Sequence, residues 1–382
     1  MRGVAPDGAT TRRVDSGFAF ALDTVAMCKV YPTRAIQHGQ LITRIRVLLL
    51  FLLVPNSLSL ATSNLTQVAV LAFALGFIAT RLKSDLRLPE AVYSLLSVYL
   101  LLGIGIKGGV GLRTSHLPSL ALPAAATIAL GVAIPLFAYS VLRWLTRLDA
   151  VDRGAIAAHY GSTSLVTFTA ALTLLDTQGI KYEGFLPTLL TIMEVPGIII
   201  GIALASRASR RSSGETHADT ASWRSTLHEV FAGRTVLLLV GGLIIGALAG
   251  HANYEKVQPF FKGLQPGMLA LFLLHLGCIA GERFAEVKRA GVGMFLFGLG
   301  FPVVTGALGV AVGHWTGLST GGATLLGVLC ASASYIAAPA AVGIALQKAN
   351  LALPIAASLG VTFPFNLAIG IPLLLEIATR LK

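Results

Sequence analysis

Two clusters of hydroxyl side chains and one carboxylate stand out because they lie inside long apolar runs: Ser162-Thr163-Ser164 with Thr167, Ser332-Ala333-Ser334, and Glu194. Ser162, Ser164, Thr167, Ser332 and Ser334 are neutral donors, able to hold an anion without burying a full positive charge. A helix interrupted at such a place adds the N–H groups of a half-helix N-terminus, with about half a positive charge, and these favour an anion. The same residue types also occur where helices merely pack closely, or where a hydroxyl bonds back to its own helix. Glu194 is near the middle of its run. A carboxylate there costs at least about 2.5–3.5 kcal/mol, so it faces a cavity, a cation or a proton. It reads as a sodium ligand or proton carrier, or as a neutral buried carboxyl.

Other ionisable groups are less telling. His159 precedes the first cluster and His275 sits in Leu274-His275-Leu276-Gly277; each either titrates or is satisfied by helix contacts. Lys107 either draws anions toward an outer mouth or snorkels to the headgroups. Glu282 and Arg283 suggest an interfacial ion pair. The glycines of Leu102-Gly103-Ile104-Gly105-Ile106-Lys107-Gly108-Gly109 follow no strand, so they read as close helix packing rather than a nucleotide loop. No Walker motif, metal-ligand spacing or nucleophile elbow occurs, and nothing points to an enzyme or a resident cofactor. Cys28, Cys278 and Cys330 are too far apart to suggest a disulfide framework.

The elements that position these residues follow from composition. Of 382 residues 55% are hydrophobic and 12% charged, with a mean hydropathy of +0.78. Soluble domains carry roughly 25% charged residues. Lipid offers the backbone no partners and the runs lack barrel-strand alternation, so the chain is an all-α membrane protein. Ten spans are predicted, near residues 65–80, 91–111, 118–142, 155–175, 186–205, 235–250, 266–281, 290–314, 320–346 and 352–378. A polar stretch, 206–234, divides them into two halves, 57–205 and 235–382. Residues 1–56 read as a leader with seven Lys or Arg before residue 47 and an apolar run, Val47 to Val54, too short to span. It fits a targeting segment or a mis-called start codon.

The net charge of +12 is spread between apolar spans, which suits topology signals better than nucleic acid. Fifteen Lys or Arg, from Arg81 to Lys348, fall in one set of loops and four (Arg113, Lys181, Lys256, Lys262) in the other. The richer set, with the central stretch, belongs in the cytoplasm and both ends of the ten-span core outside, as in a bacterial inner membrane. The basic leader fits that placement only if it is removed or never made.

Five spans per half invert the second half relative to the first, and the halves share an order of motifs. The two hydroxyl clusters fall in spans 4 and 9. Span 5 then reads Leu186-Pro187 … Met193-Glu194-Val195-Pro196 … Gly201-Ile202, and span 10 Leu353-Pro354 … Thr362-Phe363-Pro364 … Gly370-Ile371-Pro372. Thr362 therefore holds the place before proline that Glu194 holds, and is grouped with it as a cation-coupling residue. Broken helices in spans 4 and 9 are expected. Ion-coupled transport of a small inorganic anion ranks first, followed by a carboxylate transporter with proton coupling, a passive anion channel, and a membrane enzyme or sensor.

Gly161-Ser162-Thr163-Ser164 with Thr167 and Thr173-Leu174-Leu175-Asp176, then Glu194-Val195-Pro196, then Ala331-Ser332-Ala333-Ser334 with Pro339 resemble the sodium-dependent bicarbonate transporter family. Leu88-Pro89-Glu90-Ala91 and Ile104 to Gly109 match it too, so the resemblance runs over about residues 65–379. It implies a five-plus-five inverted repeat, with bicarbonate at the crossing of two broken helices and sodium beside it. The serines and Thr167 would hold the anion, and Glu194 with nearby carbonyls the sodium. The cyanobacterial branch resembles Ser-Ser-Ser-Asp at the second cluster, whereas this chain has Ser332-Ala333-Ser334-Tyr335. An acidic group is replaced by a phenol that supplies a donor or gates the cavity. That branch also implies a homotrimer and a PII-like regulatory protein on the cytoplasmic face.

Overall fold

A computed structural model of the chain describes residues 65–381 together with residue 62, apart from 116, 214–226, 229 and 290. The leader expected over residues 1–56 and most of the central polar stretch lie outside the described residues. Among the described residues the regular structure is helical throughout. The helices are α1 (Val68–Arg81), α2 (Glu90–Thr114), α3 (Leu117–Leu145), α4 (Ala150–Gly161), α5 (Leu165–Thr177) and α6 (Leu186–Ser213). After the central stretch come α7 (Arg234–Gln258), α8 (Gln265–Arg289), α9 (Val292–Trp315), α10 (Thr320–Ala331), α11 (Ala337–Ala345) and α12 (Ala352–Arg380).

Six of the described helical runs are long and apolar enough to cross a membrane. One of them, Arg234–Phe284, has 51 residues, far more than the roughly 20 that a bilayer core takes. Gly250, at φ 68°, and the π-helical turn Pro259–Gly263 divide it, so α7 and α8 are separate elements. Only glycine adopts that φ without strain. Leu71, Leu75 and Ile78 of α1, Leu237, Ile244 and Leu248 of α7, and Val292, Leu296 and Val304 of α9 are exposed. Apolar faces of that extent suit lipid, and the exposed Trp144 and Trp315 sit at the C-terminal ends of α3 and α9 as interfacial anchors do. The chain is an integral membrane protein.

Most expected spans end within a few residues of the observed helices. Two run on by eight residues, α6 to Ser213 and α8 to Arg289, while in α7 the expected end at residue 250 falls on the Gly250 kink. Outside the hydrocarbon a helix needs no apolar face, so composition stops marking its end. Helix pairing has two parts. α2 lies along α7, where a Cβ on Gly109 would meet the backbone of Leu243 and Ala247, and α1 lies along α8, where a Cβ on Gly277 would meet the Phe73 carbonyl. In the other part, α4 packs on α6 and α3, and α10 on α12 and α9. The expected break in each hydroxyl cluster falls in this second part.

Candidate functional site

The helix α4 opens on Asp149, whose side chain accepts from the Asp152 N–H, and α10 opens on Ser319, whose side chain accepts from Gly322 N–H. Each is 12 residues long, and each stops at a serine in extended conformation: Ser162 at φ −92°, ψ 172° and Ser332 at φ −90°, ψ 166°. A serine at such a point takes up the local hydrogen bonding that a helix interior denies it. Helix resumes at Leu165 in one case and at Ala337 in the other.

The two breaks meet. Ser164 N–H donates to Ser332 Oγ at 2.9 Å, and Ser334 N–H donates to the carbonyl of His159 at 2.8 Å. Ser332 in turn donates to the Leu329 carbonyl at 2.9 Å, so its hydroxyl braces one break against the other. Ser164 Oγ accepts from Thr167 N–H (3.2 Å) and Thr167 Oγ1 (2.9 Å), capping α5, and donates to the Tyr335 hydroxyl at 3.2 Å. Ser334 Oγ accepts from Ala338 N–H at 3.2 Å. Ser162, Ser164, Thr167, Ser332 and Ser334 are all buried.

Glu194 is 2% exposed, and its Oε2 accepts from Thr163 Oγ1 at 2.5 Å, with the Ser162 hydroxyl beside it. It takes part in no ion pair among the described residues. Glu194, Thr163, Ser164, Ser334, Tyr335 and Thr235 line a cavity of about 10 Å³, room for roughly one water. A second cavity of about 330 Å³ lies beyond Tyr335, Ile336 and Thr235, which belong to both, and is bounded by Glu90, Tyr93 and Arg234. Tyr335 leans edge-on against Phe363, ring centroids 5.4 Å apart.

Thr362 is placed elsewhere. It lines neither cavity, its hydroxyl donates to the Gly298 carbonyl at 2.7 Å, and it is bonded to the Tyr160 hydroxyl at 2.7 Å. The sequence reading passed over Asn366, whose Nδ2 donates to the Ala331 carbonyl at the end of α10 at 2.8 Å. Its amide two residues after Pro364 in an apolar run was the available signal. Thr163 and Thr235 were also missed. Thr163 lay inside a cluster already noted, but nothing local marks Thr235.

Lys107, Glu282, Arg283 and His159 take definite polar partners. Lys107 Nζ donates to the Tyr182 hydroxyl at 2.9 Å and lies 3.9 Å from Asp176, to which Tyr182 also donates. Burial and the Asp176 carboxylate raise the Tyr182 phenol, keeping it a donor. Glu282 and Arg283 do not pair with each other, because i and i+1 point apart on a helix. Glu282 meets Arg87 at 3.5 Å and Arg283 meets Glu286 at 3.0 Å. His159 Nδ1 donates to the Ala155 carbonyl at 2.8 Å, whereas His275 lies against the Tyr93 ring, centroids 4.7 Å apart.

No curated protein matches the chain. A family model does, over residues 68–379, which take in both hydroxyl-lined breaks, Glu194 and the helices that hold them; the chain belongs to the Na+-dependent bicarbonate transporter superfamily and is a membrane anion transporter.

Proposed function

We propose that the protein takes up bicarbonate by secondary transport coupled to sodium, with the anion held between the two breaks. The observation that carries this reading is the pairing of two hydroxyl-rich helix breaks with one buried carboxylate that has no cationic partner among the described residues. Half-helix N–H groups and the hydroxyls of Ser164 and Ser334 supply donors to an oxoanion, Thr167 supports Ser164, and Ser332 keeps the breaks together. Glu194 brings a negative charge into the same cavity, and a buried charge calls for an opposite one. Sodium entering with bicarbonate supplies a positive charge beside Glu194, while the half-helix N–H groups and hydroxyls hold the charge of the anion.

Ten crossings in two inverted repeats are part of this reading. Support comes from α4 and α10 having equal lengths, side-chain caps at both starts and closely similar closing dihedrals. The pairings α2 with α7 and α8 with α1, and α4 with α6 and α10 with α12, repeat as inversion requires. Glu183 of the loop after α5 accepts from Ser319 N–H at the start of α10 (2.7 Å), and Asp152 at the start of α4 accepts from Asn350 N–H of the loop after α11 (2.8 Å). Each half thus holds the entry of the other half's broken helix. On the charge distribution, the vestibule bounded by Arg234 opens to the cytoplasm.

The test is uptake of labelled bicarbonate by the reconstituted chain with and without an inward sodium gradient. Sodium-driven accumulation is expected. Saturable uptake indifferent to sodium reassigns Glu194 to protons or exchange, and no uptake by folded protein removes bicarbonate as substrate.

A further inference from the structure

The first turn of α7 opens on both cavities although it belongs to neither broken helix. Its N-cap is Gly233, at φ −58°, ψ 144°, and no side chain caps it. The first N–H in the turn to find a backbone partner is that of Leu237, which donates to the Gly233 carbonyl at 3.0 Å, so those of Arg234, Thr235 and Val236 have none within the helix. Gly233, Arg234, Thr235 and Val236 all line the 330 Å³ vestibule.

Thr235 is the second observation. It is 8% exposed and lines the inner cavity as well as the vestibule. Several buried threonines inside helices return the hydroxyl to a carbonyl four residues back, as Thr127 does to Pro123 (2.7 Å), Thr169 to Leu165 (2.8 Å) and Thr191 to Pro187 (3.0 Å). Thr235 is the second residue of α7, just past the break in helix at Gly233, and its hydroxyl makes no hydrogen bond among the described residues. Arg234 beside it donates to Ser94 Oγ at 2.6 Å and is in no ion pair among the described residues. Glu90 is the acidic group lining the same vestibule, so one charge of each sign bounds it, and the uncapped N–H groups tip the turn toward an anion.

We propose that this turn is a binding station for a small oxoanion, held by the Thr235 hydroxyl, the uncapped N–H groups and Arg234, one step from the site between the breaks, with Tyr335 separating the two. The inference rests on the reading of the breaks as the transport site. It adds a specificity-determining residue, Thr235, contributed by the α2–α7 part of the molecule. An anion leaving the breaks passes from hydroxyls on α5 and α10–α11 to a hydroxyl and N–H groups on α7, never losing all its donors at once.

The experiment uses the purified full chain carrying Ala340→Cys, at a position that lines the vestibule, and follows alkylation of position 340 by N-ethylmaleimide with peptide mass spectrometry. Bicarbonate is expected to slow alkylation, and the concentration giving half-protection is expected to rise at least about fivefold in Thr235→Val and return in Thr235→Ser, as loss of one hydrogen bond to a charged ligand requires. Equal half-protection in Thr235→Val overturns the station, as does protection lost in Ser164→Ala but untouched by Thr235→Val. Protection by none of bicarbonate, nitrate or sulfate also overturns it, whatever the uptake result. Thr235-dependent protection by nitrate but not bicarbonate upholds the station and overturns the bicarbonate reading instead.

Discussion

The two breaks begin alike and end differently. After Ser162 the chain needs only Thr163 and Ser164 before α5 starts, and Ser164 is itself the N-cap. After Ser332 it runs through Ala333, Ser334, Tyr335 and Ile336, and α11 starts at an N-cap, Ile336, without a side-chain bond. The flanking helices differ in the same sense. α6 is continuous and sets Gly197 directly on the backbone of Gly161 and Ser162. α12 is interrupted by two π-helical turns, Ser358–Thr362 and Asn366–Gly370, and reaches the end of α10 through the Asn366 amide. The first break is clamped by backbone packing and the second is held by side-chain hydrogen bonds. π turns are frequent at functional sites, and a hydrogen-bonded support can exchange partners where a packed backbone cannot. The second break, with Tyr335 between the cavities, is the one suited to move.

The contrast breaks most readily at Gly197. A Cβ there would meet Gly161, so Gly197→Ala is expected to cost about 3 kcal/mol or more, read as a fall in the thermal midpoint in detergent. A drop no larger than that of an exposed Gly→Ala change would show that the first break is not clamped. Next is Ser332→Ala, which leaves the buried Ser164 N–H without its acceptor and should cost about 2 kcal/mol by the same measurement. Third, Glu194→Gln should raise the sodium concentration for half-maximal uptake about tenfold, equal to about 1.4 kcal/mol, with a smaller change in bicarbonate affinity. An unchanged sodium response takes Glu194 out of the coupling site.

Thr362→Val sharpens the comparison from the other half. Thr362 stands in the same place before proline as Glu194, yet bonds to Tyr160 and Gly298, so about 1 kcal/mol of stability is expected to go with no change in sodium dependence. A sodium effect as large as that of Glu194→Gln would mean both halves contribute to coupling. The smallest effect belongs to Tyr335→Phe, which removes only a 3.2 Å hydrogen bond and keeps the ring on Phe363. About 0.5 kcal/mol is expected, with uptake retained; collapse of uptake would give the hydroxyl, rather than the ring, the role at position 335.

Much of this was legible because it is local. Apolar runs give helices in lipid whatever they pack against, and clustered serines disrupt helix by offering the backbone other bonds, so the breaks lie where Ser162-Thr163-Ser164 and Ser332-Ala333-Ser334 predict. The common place of Glu194 and Thr362 before proline was equally visible. That spacing does not fix what the neighbouring helices present to each side chain: Glu194 lies against Thr163, and Thr362 against Tyr160 and Gly298. Thr235 carried no signal at all: a threonine after an arginine at the edge of an apolar run looks like any helix start.

By itself, then, the sequence determined the membrane class, the helices, the places where two of them break, and a carboxylate that lipid would not tolerate unsatisfied. Each of these depends on transfer free energy or on backbone bonding within a few residues. Only the tertiary structure decided which hydroxyls are spent on bracing and which face a cavity, that Ser164 meets Tyr335 across 171 residues, and that Glu194 lies against Thr163 while Thr362 turns to Tyr160. Those outcomes depend on how helices distant in sequence are packed, and the distance between two side chains on different helices is written in no local pattern.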